Sequence, residues 1–151
     1  MSVVGAADAP AAAVHLRVFT PADTSAVVAL WQACGLVRPW NDPAKDIARK
    51  QAVQPEMFLV AEQAGAVVGS AMVGYDGHRG WVYYLAVAPG LQRLAIGRRL
   101  MDEAEGMLLA RGCPKVNLLV RAGNTGVLEF YRRLGYAQDA SVSLGKRLIP
   151  D

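Results

Sequence analysis

Residues 81–89, WVYYLAVAP, are apolar at both parities of a strand: Trp81, Tyr83, Leu85 and Val87 alternate with Val82, Tyr84, Ala86 and Ala88. Successive side chains of an extended chain point to opposite faces, so a run of this kind belongs in the middle of a sheet covered on both sides. Directly afterwards the period changes. Ile96, Leu100, Met101, Ala104 and Leu108 share one face of a helix expected from Ala95 to Arg111, and Gly112 with Pro114 closes it.

The remaining segments supply the cover. HLRVF (15–19) reads as a first strand, and Thr20, Pro21 and Asp23 carry a helix-start pattern. Val27, Leu30, Trp31 and Cys34 follow at helical spacing until Gly35, and LVRPWNDP (36–43) is a loop. A more polar helix is expected over Ala44 to Val53. FLVAE (58–62) and AVVGSAMVGY (66–75) form a hairpin across Gln63, Ala64 and Gly65, and DGHRG (76–80) turns into the central run. KVNLLV (115–120) reads as another buried strand. A helix from near Asn124 to Leu134 comes next, and YA (136–137) and VSLGKRL (142–148) finish the sheet. The expected fold is α/β (α+β): a mixed, mostly antiparallel sheet of roughly six to seven strands flanked by about four helices. At 151 residues the length is that of one domain, placed at 14–151 behind a frayed alanine-rich tail at 1–13.

Composition narrows the function. No apolar run approaches the roughly 18 residues of a membrane span. The first residues lack a basic start and are interrupted by Asp8 and Pro10, so they do not read as a signal peptide, and a cytoplasmic location is expected. Cys34, Cys113, His15 and His78 fall in no metal-ligand spacing, so no metal is expected. A net charge of +3 suits an anionic ligand but is too small to argue for nucleic acid.

The strand-to-helix junction LQRLAIGRRL (91–100) carries the chemistry. A helix start presents unpaired N–H groups and the positive end of its dipole, which suit a pyrophosphate. Gly97 would let a ligand approach the backbone, and the arginines would add charge-assisted contacts. The lysine of a Walker loop is missing after Gly97, where Arg98 and Arg99 stand, and no GxGxxG occurs.

Gln92-Arg93-Leu94-Ala95-Ile96-Gly97 resembles the [QR]xxGx[GA] signature of the GNAT N-acetyltransferases, with Ala95 in place of the first glycine. The methyl costs little if the backbone at 95 is helical. LAVAP (85–89) resembles the family's central strand, and NTGVLEFYRRLGY (124–136) its second signature. The likeness runs from Val14 to Leu148. The YDGHRG, RGCPKVNLLVR and SLGKRLI segments look like the bacterial YpeA subgroup.

The resemblance implies acetyl-CoA as cosubstrate and an amine acceptor, on a small molecule or a protein. Main-chain groups of Leu85, Ala86 and Val87 would pair with the pantetheine arm, at an opening left where this strand diverges from its neighbour after residue 87. Gln92, Arg93, Leu94, Ala95, Ile96, Gly97 and Arg98 would cradle the pyrophosphate, with Arg99 a surface charge. Asn124 would hydrogen-bond the pantetheine, in competition with an N-cap role. Tyr131 would be the general acid, in competition with core packing. Leu119 stands where the ribosomal-protein acetyltransferases carry a basic glutamate, which leaves Tyr83, His78 or Glu62, through ordered water, as candidate bases. Trp40 and Asp42 are candidates for holding the amine. The alternative is a non-catalytic acyl-CoA-binding regulatory or sensor module on the same fold. A homodimer is compatible with the sequence, which does not fix the oligomeric state. No nucleic acid or membrane partner is expected.

Overall fold

The computed structural model describes residues 13–92 and 95–151. Five strands form one sheet in the order β1-β2-β3-β4-β5: β1 is Val14–Val18, β2 Phe58–Gln63, β3 Ala66–Tyr75, β4 Gly80–Val87 and β5 Val116–Asn117. The first four are antiparallel to their neighbours, and β5 joins β4 in parallel. The helices are α1 Thr24–Ala33, α2 Pro43–Ala52, α3 Ile96–Ala110 and α4 Thr125–Arg133. None of the helices among the described residues is long and apolar enough to cross a membrane.

Alternation along β2 fills both faces of the sheet. Leu59 and Ala61 join the cluster made by Ile96, Leu100, Ala104 and Leu108 of α3 and Tyr131 of α4. Phe58 and Val60 join Val27, Leu30 and Trp31 of α1 and Ile47 of α2. Gly69 on β3 lets α3 lie close, because a Cβ there would stand 3.1 Å from both Ile96 and Leu100. The β2–β3 turn takes positive φ at Ala64 (50°) and Gly65 (80°), the pair a two-residue hairpin needs.

The central strand breaks the strict alternation read from its sequence. Ser70 pairs with Ala86 but Met72 pairs with Tyr83, so Ala71 alone faces both Tyr84 and Leu85. This is a β-bulge, with Tyr84 at φ 52°. The extra residue inverts the parity beyond it. Val82 therefore shares the α3 face with Leu85 and Val87, whereas Tyr84 and Ala86 lie on the α1 face.

Three expectations at the C-terminal end need correction. The segment 115–120 is a strand only at Val116–Asn117, both half-buried, and Leu119 is 60% exposed. Residues 136–137 and 142–148 add no strand to the sheet, and every residue from 137 to 150 is exposed. The sheet of the described residues therefore has five strands rather than the expected six to seven. A two-residue β5 offers a following strand almost no edge to dock on. Side chains hold this stretch instead: Lys115 and Asn117 each donate to Asp139 at 2.8 Å, and Asp151 accepts from Arg49 and from the Asp42 N–H.

Candidate active site

Beyond Trp81 no described strand pairs with β4 on the β5 side, since the parallel ladder ends at Trp81 and Asn117. The opening expected after residue 87 thus begins about one strand length earlier. Ala88 N–H donates to the Val68 carbonyl and Ala86 stands opposite Ser70. By alternation, the main-chain groups of Leu85 and Val87 face the opening while those of Ala86 face β3. The Val87 carbonyl already accepts from the Cys34 thiol at 3.3 Å and from the Gln92 amide at 3.5 Å.

The N-terminus of α3 lies just past this strand. Ala95 precedes it with no side-chain cap, so the N–H groups of Ile96, Gly97 and Arg98 have no partner among the described residues. Arg98 is exposed and enters no ion pair there. Arg99 is exposed too, and its guanidinium donates to the Val14 carbonyl at 2.9 Å, tying α3 to β1. Arg93 and Leu94 lie outside the described residues.

Two readings of this loop change. The backbone at Ala95 is left-handed (φ 57°), not helical, so its methyl carries a steric cost. Gly97 is buried, and a Cβ on it would stand 3.2 Å from the Phe130 ring and 3.6 Å from Val87. Its smallness therefore serves the contact of α3 with α4 and β4 rather than room for a ligand.

On α4, Asn124 caps the helix, accepting from Val127 N–H at 3.3 Å, and leaves its NH2 without a partner among the described residues. Tyr131 is 9% exposed, with its ring edge-on to Phe130 and Tyr136. It packs in the cluster that Leu85 and Val87 line. No described residue hydrogen-bonds its hydroxyl, and burial pushes its pKa up to about 12. The phenol is therefore protonated throughout the neutral range and free to donate.

Across the sheet, the bulge opens a cleft of about 610 Å3. Trp31 stacks on Tyr84 at 3.7 Å and 8°, and its N–H donates to the Ser70 hydroxyl at 2.9 Å. Ser70 in turn donates to the Tyr84 carbonyl at 2.7 Å, which the bulge has taken out of the ladder. So fixed, the Tyr84 hydroxyl reaches Asp46 at 2.7 Å, and burial with that carboxylate raises its pKa. Asn41 also donates to Asp46, as does Arg49 at 2.9 Å. Tyr83 and Trp40 line the same cleft.

Of the three candidate bases, only Tyr83 lies here. Glu62 is paired with Arg17 at 2.9 Å between β1 and β2, and His78 sits in an exposed turn closed by Asp76. Asp42 caps α2, accepting from Ala44 N–H at 2.9 Å, and does not line the cleft. The acidic residue that does is Asp46, which the sequence reading passed over. A signal existed: Asp46, Arg49, Lys50 and Val53 recur at helical spacing, and all four face the cleft.

Comparisons with known proteins bear on the family and the fold. The sequence profile of the acetyltransferase (GNAT) family matches residues 24–136. An acetyltransferase of Sodalis glossinidius is 52% identical over 138 residues, covering 91% of this chain and 97% of that protein. One of Yersinia enterocolitica is 50% identical over 137 residues with the same coverage. Among solved structures, Ard1 from Thermoplasma volcanium superposes with a TM-score of 0.74 at 27% identity, covering 85% of each chain. The ribosomal-protein-S18-alanine N-acetyltransferase of Escherichia coli shares the fold at a TM-score of 0.70 and 22% identity, over 85% of this chain and 80% of that one. The chain belongs to the GNAT acetyltransferase family and is an N-acetyltransferase.

Proposed function

We propose that the protein moves an acetyl group from acetyl-CoA to a primary amine by direct attack in a ternary complex. The observation that carries this reading is the unpaired side of β4 beside the uncapped start of α3. An arm with amides of its own can continue the sheet there, as an added strand does. Its diphosphate then meets the N–H groups of Ile96, Gly97 and Arg98 and the Arg98 guanidinium.

The coenzyme supplies an activated acetyl thioester, and the chain's residues do the rest. Leu85 and Val87 orient the arm through main-chain groups. The Asn124 NH2 is free to hold an amide of the arm while its carbonyl caps α4. Tyr131 faces the departing sulfur and donates its proton there, a role that contributes about 10²-fold or more. The amine enters from the cleft over Tyr83 and Tyr84 and sheds its proton on that side.

Tyr131→Phe keeps the ring and removes the donor. We expect kcat to fall about 100-fold while the Kd for coenzyme A stays within about twofold. A full kcat in this variant would remove Tyr131 from the reaction. Calorimetry of coenzyme A tests the binding half separately, and absence of heat would end the reading.

A further inference from the structure

The charge in the cleft is one-sided. Its lining holds four cations, Arg38, Arg49, Lys50 and Arg121, against a single carboxylate, Asp46. Arg49 is committed to Asp46 at 2.9 Å and to Asp151 at 2.5 Å. None of the other three forms an ion pair with an acid among the described residues. Arg38 donates only to the carbonyls of Gly35 (2.7 Å) and Val37 (3.3 Å), which satisfy hydrogen bonds but carry no charge. Arg121 is exposed, and its guanidinium has no hydrogen bond or ion pair there.

Lys50 is the most costly of the three. The residue is only 8% exposed, and its ammonium, with three donors, has one acceptor among the described residues, the Val73 carbonyl at 2.5 Å. A buried ammonium without a direct ion pair is unfavourable, and the more distant Glu56 is itself paired with Arg111 at 3.2 Å. Desolvation accordingly lowers the pKa of Lys50. Asp46 forms no ion pair with these three cations, and Tyr84, Asn41 and Arg49 take up most of its acceptor capacity.

A neutral or purely cationic amine would leave this excess uncompensated. Resting on the transferase reading, we propose that the acceptor carries an anionic oxygen group, a carboxylate or a phosphate, beside its amine, and that Arg38, Lys50 and Arg121 receive it. The guanidinium forks match such groups in two-point contact, and Lys50 supplies a point charge from the floor. Asp46 keeps a negative site nearby, so the cleft is matched to a molecule bearing both signs.

The test uses matched acceptors: free amino acids against their amides, and phosphoethanolamine against ethanolamine. Wild-type kcat/KM is expected to favour the anionic member of at least one pair by about tenfold or more, mainly through KM. Arg121→Gln and Arg38→Gln should each erode that preference with kcat retained, and Arg38→Lys should restore part of it. Preference for the carboxylate or for the phosphate pair identifies which group is read. Equal use of anionic and neutral members overturns the inference, as do variants that slow both alike. Coenzyme A binding is measured in parallel. If it binds and no amine turns over, thermal shift with the free acids decides, and no shift beyond that of the amides overturns the inference while leaving the coenzyme site standing. If coenzyme A does not bind, the transferase reading falls and this inference with it.

Discussion

Ala95 holds a conformation that costs an L-residue about 1 kcal/mol, at the one position where the family signature writes glycine. Ala95→Gly should therefore stabilise the fold by about 0.5–1 kcal/mol, less the extra freedom glycine gives the unfolded chain. Urea unfolding measures this, and an unchanged or lowered midpoint would mean that the loop does not hold the left-handed turn. The sequence told which residue departs from the pattern but not the sign of its φ, because a methyl group is compatible with either until the neighbouring chain is placed. Gly97 has a similar history. Its spacing was legible, but the partner that needs it small, Phe130, comes from a helix about 30 residues later in the chain.

At the scale of elements, β4 and its bulge decide which groups meet. The chain Trp31 to Ser70 to Tyr84 replaces the ladder bond that the bulge removes. Ser70→Ala would leave a buried indole N–H and a carbonyl unpaired, so a loss of about 2–4 kcal/mol is expected by chemical denaturation. With Tyr84 released, its contact with Asp46 should loosen and the acceptor KM rise, whereas coenzyme binding on the far face should hold. A loss under about 0.5 kcal/mol would show that the network does not brace the strand. The helices and the first four strands were legible because each has its own period and its own stop signals. The bulge was not, since every residue from Trp81 to Ala88 is apolar or aromatic and the pattern looks the same in either register. The cleft was half legible: the 36–43 loop was expected to border it, but the α2 stripe that lines it was read only as a polar helix.

Over the whole molecule, apolar surface is distributed unevenly. The sheet and four helices enclose two clusters, whereas Val142, Leu144 and Leu148 near the C-terminus are each at least 85% exposed. Ending the chain after Ala140 should leave the urea m-value within about 15%, because m follows buried surface and this stretch buries little. A larger fall would mean that 141–151 is part of the cooperative unit. The same deletion removes Asp151 and frees Arg49 beside the cleft, so the anion preference of the acceptor should sharpen. The sequence over 142–148 was expected to finish the sheet, and the structure forms no strand there. What pattern could not supply was a neighbour to pair with.

Tyr84 works on β4 as an inserted letter works on a reading frame. Upstream of it the strand spells one assignment of faces, and downstream every later letter is read in the other. Excising that one residue would leave Leu85 and Val87 on the α3 face and Ala86 on the α1 face, because Tyr83 already faces α1 beside Met72, yet it would remove the ring stacked on Trp31 and the hydroxyl that meets Asp46. The bulge thus lets the strand send one more side chain into the cleft without moving the groups it presents on its other face.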